Sequence, residues 1–423
     1  MKKILKLLVI FCVITSSIEI INSESIASII DHPGTFGLGI SFQANPTDPN
    51  DAIVRITSND VLLDLSSYKY SQASGNTVGG FDGIFISPGL KNVHIMNGII
   101  GPVTGRGIYI GDGCSQILLE NIVIQQSATT GILLDGNLTG TGISTFKIKN
   151  CAILTCTGSS GNPAYGMRII NGSNFRLEMC VCNFNDAGIS TSGFGFSLEN
   201  CSNGNILDST AASNGGFSYG IGFTLNQCSI CAFTNCASLN NIARDISLTS
   251  SAIGFLMNQC NGIGFINCKA VANRNVSANG IGFQSQNGTA FINGCFGQGN
   301  IGKTAAGFIL TGTENGTTIE NCQASGNIAI GASGKSFGIL LDGSRNCIID
   351  NNNCNRNTGI EGYGLRDTTT NTTNLIYGNV TFLNTTTGFD VTRTVGTFPV
   401  LYANVGDFSA IQNASEYMNV AIG

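Results

Sequence analysis

The chain has 423 residues, 56 of them glycine, with 11% charged residues, no tryptophan and a formal net charge of −5. The glycines keep no three-residue period, which excludes a collagen-like fibre, and no basic run supports a nucleic-acid role. That length would ordinarily mean two or three domains, unless a repeat sets the architecture.

The first residues, Met1-Lys-Lys-Ile-Leu-Lys6, precede an apolar core from Leu7 to Ile14 and then small polar residues. This pattern predicts a secretory signal over 1–23, cleaved after Ser23. A membrane anchor is the competing reading, but the core is shorter than the roughly 20 residues that span a bilayer. Cys12 lies inside the core, a poor place for a lipid-bearing cysteine. No later stretch would cross a membrane as a helix, so the exported chain is expected to be no integral membrane protein.

Residues 24–80 hold a Pro33-Gly-Thr-Phe36 turn, a Pro/Asp-rich turn at 46–51, and strand-like runs at Ala52–Thr57 and Val61–Leu65. They are expected to form an N-terminal cap and the first strands, since an uncovered rod end exposes strand edges.

From residue 81 a pattern recurs. Glycines followed by an apolar residue fall at Gly83, Gly107, Gly131, Gly166, Gly195, Gly222, Gly254, Gly282, Gly307, Gly338, Gly364 and Gly388, in steps of 24 to 35 residues. Each lap carries short runs with apolar residues at every second position, which is strand periodicity. A lap cannot bury its own apolar face, so it must stack on its neighbours. Twelve coils about 4.8 Å apart would make a rod roughly 55 Å long. The residues after the glycines form one apolar column: Ile84, Ile108, Ile132, Met167, Phe196, Phe223, Phe255, Phe283, Phe308, Ile339, Leu365 and Phe389. A second strand in each lap often closes on Asn, as at Asn97, Asn121, Asn150, Asn321 and Asn351. Asn suits a left-handed corner, and stacked amides can bond one another along the rod. Loops at 137–144, 157–164 and 241–251 leave at turns. The expected fold is all-β: a single-stranded right-handed parallel β-helix, a solenoid of about twelve coils over 81–395, with a cap or tail at 396–423.

The Pro33–Phe36 turn, Asn59 to Leu65, and Lys91 to Gly98 resemble the opening of secreted right-handed parallel β-helix repeat proteins of the pectate-lyase-like superfamily. The resemblance covers about residues 30–395 and rests on architectural motifs. It implies the handedness, which the bias of parallel crossovers also favours. The superfamily holds pectate lyases, polygalacturonases, epimerases and non-enzymes, so fold does not decide activity. The polygalacturonase strings Asn-Thr-Asp, Asp-Asp, Gly-His-Gly and Arg-Ile-Lys are absent here.

Of 16 cysteines, 15 lie beyond the signal, an odd number that leaves at least one unpaired. Cys201, Cys228 and Cys260 share one repeat position; Cys151, Cys236, Cys268 and Cys322 share another. Buried reduced thiols packed as small hydrophobes are expected. Zinc is disfavoured, because no His lies near Cys180-Val-Cys182 or Cys228-Ser-Ile-Cys231. Asn137, Asn171, Asn275, Asn315 and Asn379 open glycosylation sequons.

The histidines are His32 and His94, and His94 is read as a plain outward residue. One acidic constellation can be assembled. Asp112 and Asp135 fall at nearly the same offset from Gly107 and Gly131, and Arg168 follows one lap later. The pair would bind calcium, the one cofactor expected if any, while the Arg would hold a uronate or act as base. The bland reading makes Asp112-Gly113 and Asp135-Gly136 turn dipeptides, like Asp342-Gly343. Tyr109, Tyr165, Tyr219, Tyr363 and Tyr377 are expected at the surface, too scattered for a platform. The sequence therefore favours an exported, non-catalytic β-helix that binds a glycan or protein at the cell surface, outside the cell or in a periplasm. The alternative is a lyase or hydrolase acting on an acidic polysaccharide. Oligomeric state is not read from the sequence.

Overall fold

The computed structural model describes residues 18–20, 28–37, 41–44, 51–72, 80–391, 400–403 and 419–422, apart from short stretches at 138–139, 159–160, 189–190, 246–249, 313–315 and 370–373. Most of the expected signal with its cleavage point at Ser23, Cys12, the turn at 46–50, Asn315 and most of the C-terminal tail fall outside the described residues.

The described chain is a right-handed parallel β-solenoid without helices. One sheet contributes a single strand per coil, and its 14 described strands follow one another in chain order. The second and third faces form a 27-stranded parallel sheet, and five two-residue strands make a short extra face over the middle coils. The expected inward column is the one that pairs. Ile84, Ile108, Ile132 and Met167 stand in register, then Phe196, Phe223 and Phe255, and the row runs on through Phe308 to Phe389. The Phe rings stack at centroid distances of 4.7 Å (Phe196–Phe223), 4.8 Å (Phe223–Phe255) and 4.7 Å (Phe255–Phe283).

The glycine before this column has a steric reason. A Cβ on Gly131 would lie 2.1 Å from Ile153 Cγ2 and 2.6 Å from the Gly166 carbonyl oxygen; on Gly254 it would meet Ala270 Cβ at 2.6 Å and the Gly282 oxygen at 2.5 Å. The strand bends there. Pairing passes from Ile221–Ile253 to Phe223–Phe255 and skips the two glycines. Glycine and the residue after it both face inward, so the residue before it faces out. This break in alternation creates a second apolar row outside the main core, from Ile221, Ile253, Ile281 and Ala306 to Phe337 and Tyr363.

Residues 28–72, expected as a cap with first strands, carry the same ladder. Ser28–Ile30 pairs with Val54–Ile56, which pairs with Ile84–Ile86. Ile18–Ile20 pairs in turn with Thr35–Gly37, so cleavage after Ser23 would remove that strand.

The corners behave as expected for asparagine. Asn97, Asn121, Asn150, Asn235, Asn267, Asn321 and Asn351 all have φ between 51° and 59°. Asn121 Nδ2 donates to Asn97 Oδ1 at 3.1 Å, and Asn150 Nδ2 to Asn121 Oδ1 at 2.7 Å. A longer ladder lies inside. Asn185, Asn214, Asn241, Asn273, Asn300, Asn327, Asn357 and Asn384 each bond the next through Nδ2–H···Oδ1, at 2.7 to 3.1 Å. The first seven are fully buried. Sequence reasoning missed this row, although its signal was present: Asn stands five residues after Cys180, Cys236, Cys268, Cys295 and Cys322.

None of the fifteen described cysteines forms a disulfide, and all are buried. Burial pushes the Cys180 thiol up to about 11 and the Cys151 thiol up to about 12, which keeps those two unreactive. Two sequons are closed by the fold, since Asn275 and Asn379 are fully buried.

Candidate functional site

The outward side of the single-strand sheet collects the distinctive chemistry. Near the N-terminal end Phe85 stacks on Tyr109 at 4.9 Å. Arg55 lies over Phe85 at 4.3 Å and Arg106 over Tyr109 at 3.9 Å. Asp82, 2% exposed, holds Arg106 through Oδ1–Nε at 2.9 Å and Oδ2–Nη2 at 2.6 Å. Farther along, Tyr165 stacks on Phe194 at 4.9 Å with Arg168 over the Tyr ring. Near the C-terminal end Phe337 stacks on Tyr363 at 5.6 Å, and Arg366 lies over it between Glu361 and Asp390. Thus Tyr109, Tyr165 and Tyr363, scattered in sequence, share one face in stacked pairs.

Between the second and third aromatic pairs lies a shallow trough lined by Tyr219, Ile221, Ser251, Ile253, Leu256, Asn279, Gln284 and Gln286. Its floor is the outward aliphatic row, and Leu256 packs against that row. Its rims are amide and hydroxyl. Asn279 Nδ2 donates to Ser251 Oγ at 3.2 Å, and Asn258 Nδ2 to Asn226 Oδ1 at 3.0 Å on the adjoining row. The Gln284 and Gln286 side chains make no hydrogen bond among the described residues, so four donor hydrogens and two carbonyl oxygens are open to a ligand. No charged residue lines the trough.

The three sequence candidates fall on the N-terminal side of it. Ile110 pairs with Leu134, which sets Gly111, not Asp112, opposite Asp135. The two aspartates are therefore one residue out of register. Asp112 is 2% exposed and accepts from the Gly113 N–H at 2.9 Å and the Thr141 hydroxyl at 3.2 Å. Asp135 accepts from the Asn137 N–H at 3.3 Å. Both do the work of turns. Arg168 is brought to the Asp135 side, in register with Leu133, but Glu199 holds it through Nε–Oε1 at 2.8 Å and Nη2–Oε2 at 3.0 Å. Burial disfavours its charge, yet Glu199 outweighs that, and Arg168 ends above its usual range with a smaller contribution from Asp135. Tyr109 is raised by burial and then by Asp135. Among the described residues no group of three or more His, Cys, Asp and Glu is placed to hold a metal. Calcium would rest on Asp112 and Asp135 alone, each already accepting turn hydrogen bonds. His94 faces outward, half-buried, with Nε2 3.9 Å from Glu120; burial lowers its pKa.

No family model and no curated protein sequence matches the chain. Solved structures do. The tailspike of Escherichia coli bacteriophage HK620, solved with a pentasaccharide, aligns over 92% of this chain and 72% of its own, at 12% identity and a TM-score of 0.51. The mannuronan C-5 epimerase A-module of Azotobacter vinelandii aligns over 86% and 91%, at 11% identity and a TM-score of 0.42. A periplasmic alginate epimerase aligns over 96% and 85%, at 8% identity and a TM-score of 0.40. At these identities the phage protein's likeness speaks to the fold alone.

Proposed function

We propose that the chain is an exported, non-catalytic rod that binds a neutral glycan along the outward side of its single-strand sheet. The observation that carries this is the trough: an aliphatic floor under amides that have hydrogen-bonding capacity to spare. A pyranose presents a C–H face and a rim of hydroxyls, and such a surface is matched by apolar floor and convergent polar groups. Coils repeat every ~4.8 Å, close to the advance of one sugar along a chain, so successive amide rows can meet successive rings. Tyr165 and Phe194 continue the floor row toward the N-terminal end in the same register. Neutral rather than acidic sugar is favoured because Arg106, Arg168, Arg366 and Lys335 are each already held in ion pairs. That a pentasaccharide was solved on a rod of similar fold adds to the reading.

The test is titration of neutral oligosaccharides by calorimetry, after a glycan array has chosen them. Leu256→Asp puts a charge on the trough floor and is expected to abolish binding while the melting midpoint is kept. Binding that survives this change places the ligand elsewhere. The second reading, a polysaccharide lyase or hydrolase, draws on Asp135 standing within electrostatic reach of both Arg168 and Tyr109. Turnover of polygalacturonate or alginate, lost in Asp135→Ala, would establish it and sink the non-catalytic one.

A further inference from the structure

We infer that the rod interior near its C-terminal end holds a hard cation, bound through oxygen by Asp367, Ser344 and Thr369. Asp367 stands in register with Leu341 in an inward row and is 1% exposed. Its Oδ2 accepts from Asn374 Nδ2 at 2.9 Å and its Oδ1 from the Thr369 N–H at 3.0 Å. Among the described residues it has no cationic partner. Arg366, its chain neighbour, points the other way, to Asp390 at 2.9 Å. A carboxylate buried with two neutral donors and no counter-charge is costly.

Two residues in the same hydrogen-bond network carry hydroxyls with the complementary defect. Ser344 Oγ and Thr369 Oγ1 are buried without a hydrogen-bond partner, in residues 0% and 5% exposed. Both belong to the same cluster. Asn374 Nδ2 donates to the Ser344 carbonyl at 3.0 Å as well as to Asp367, and Thr369 is the residue whose N–H caps the carboxylate. Both Nδ2 hydrogens of this amide are spent, so it has no donor left for the hydroxyls, and its Oδ1 already accepts from the Cys347 N–H at 2.9 Å. A water would satisfy the hydroxyls and leave the charge. Protonating Asp367 would remove the charge but supply a single O–H, enough for one of the two hydroxyl oxygens. A hard cation takes carboxylate and hydroxyl oxygens together. With one carboxylate present, a monovalent ion gives a neutral site and calcium leaves a buried positive charge, so sodium or potassium is the ion that charge balance selects. The ion would tie Thr369, two residues past the Glu361–Asp367 strand, to the preceding coil through Ser344. The trough lies on other coils and the opposite side of the strand, so this site stands or falls independently of glycan binding.

The experiment melts the full chain in tetramethylammonium chloride and replaces that salt, at constant ionic strength, with NaCl, KCl or CaCl2. Sodium or potassium is expected to raise the midpoint saturably by a few degrees, because a ligand of the native state stabilises it by mass action. Asp367→Asn should abolish that dependence, and Ser344→Ala should move half-saturation to higher salt. A midpoint indifferent to the cation, or one with the same dependence in Asp367→Asn, overturns the site in favour of a buried water or a neutral acid. A response to calcium alone overturns the monovalent assignment. Should Asp367→Asn fail to fold, crystals soaked in thallium(I) decide: an anomalous peak between Asp367 and Ser344 supports the site, and its absence refutes it.

Discussion

The asparagines inside the rod and the amides of the outer trough are one functional group under opposite conditions. Inside, Asn300 gives one hydrogen to Asn327 Oδ1 and the other to the Ala306 carbonyl, while its Oδ1 takes both the Nδ2–H and the backbone N–H of Asn273. Nothing is left over, as burial requires. Outside, Gln284 and Gln286 sit half-buried with their amides unspent. The interior row can hold coils in register but cannot read a ligand; the outer row can read a ligand and contributes little to holding coils. The difference teaches that richness in Asn and Gln is no guide to binding until each amide's partners are counted.

The interior side of this comparison is broken most severely by Asn300→Ala. Two buried donors of Asn273 lose their acceptor at once, and each orphan costs about 1–3 kcal/mol. A loss of about 3 kcal/mol is expected, read as a lower urea midpoint with an unchanged slope. A loss below about 1 kcal/mol would mean that the ladder is ornamental and the stacked Phe column alone sets the register.

The outer side is sharpened by Gln286→Ala. Its amide has no protein partner, so stability should change by no more than about 0.5 kcal/mol. Affinity for the glycan proposed for the trough should fall roughly fivefold, the worth of one hydrogen bond of ~1 kcal/mol. Calorimetry and thermal melting on the same preparation separate the two effects. A large loss of stability would show that Gln286 belongs to the structure and not to the site.

The sequence made the rod legible because a solenoid repeats one steric problem. Each anchor glycine meets the same corner and each following apolar residue the same interior column, so twelve weak signals add. The outer face was harder to read for a specific reason. Strict alternation places Ile221 and Phe223 on one side of the strand, whereas the bend at Gly222 sends them to opposite sides. The aromatic pairs are hidden by the same bend, since Tyr109 follows its glycine by two residues while Tyr165 and Tyr363 precede theirs by one. Asp112 and Asp135 illustrate the remaining limit. Their offsets from the anchors, five and four residues, differ by one, and in a strand one residue turns a side chain to the other side.

The smallest expected effect lies where inside and outside are adjacent in the chain. Asn185 opens the buried ladder, and Asp186, next to it, faces outward to Arg244, with Nη1–Oδ1 at 2.8 Å and Nη2–Oδ2 at 2.6 Å. The Arg244 hydrogen bond lowers the Asp186 pKa from 3.8, opposed by burial and helped by the Gly188 N–H. A depressed folded value means that the pair's stabilisation is present above the unfolded value and is lost as pH falls through the folded one, hence below about pH 4. Side-chain exposures of 45% and 38% admit solvent screening, which limits the contribution to at most about 1 kcal/mol. Arg244→Ala should therefore cost up to that amount at pH 7, less in high salt, and progressively less as pH falls below about 4 toward the depressed folded value of Asp186. Asn185→Ala should cost the same at either pH and any salt, because its partners carry no charge. If the Arg244 deficit also stayed constant with pH, the guanidinium would be acting by packing beside Gly215, where an added Cβ would lie 3.2 Å from Arg244 Nη2, and the outer rim would be packed rather than charged.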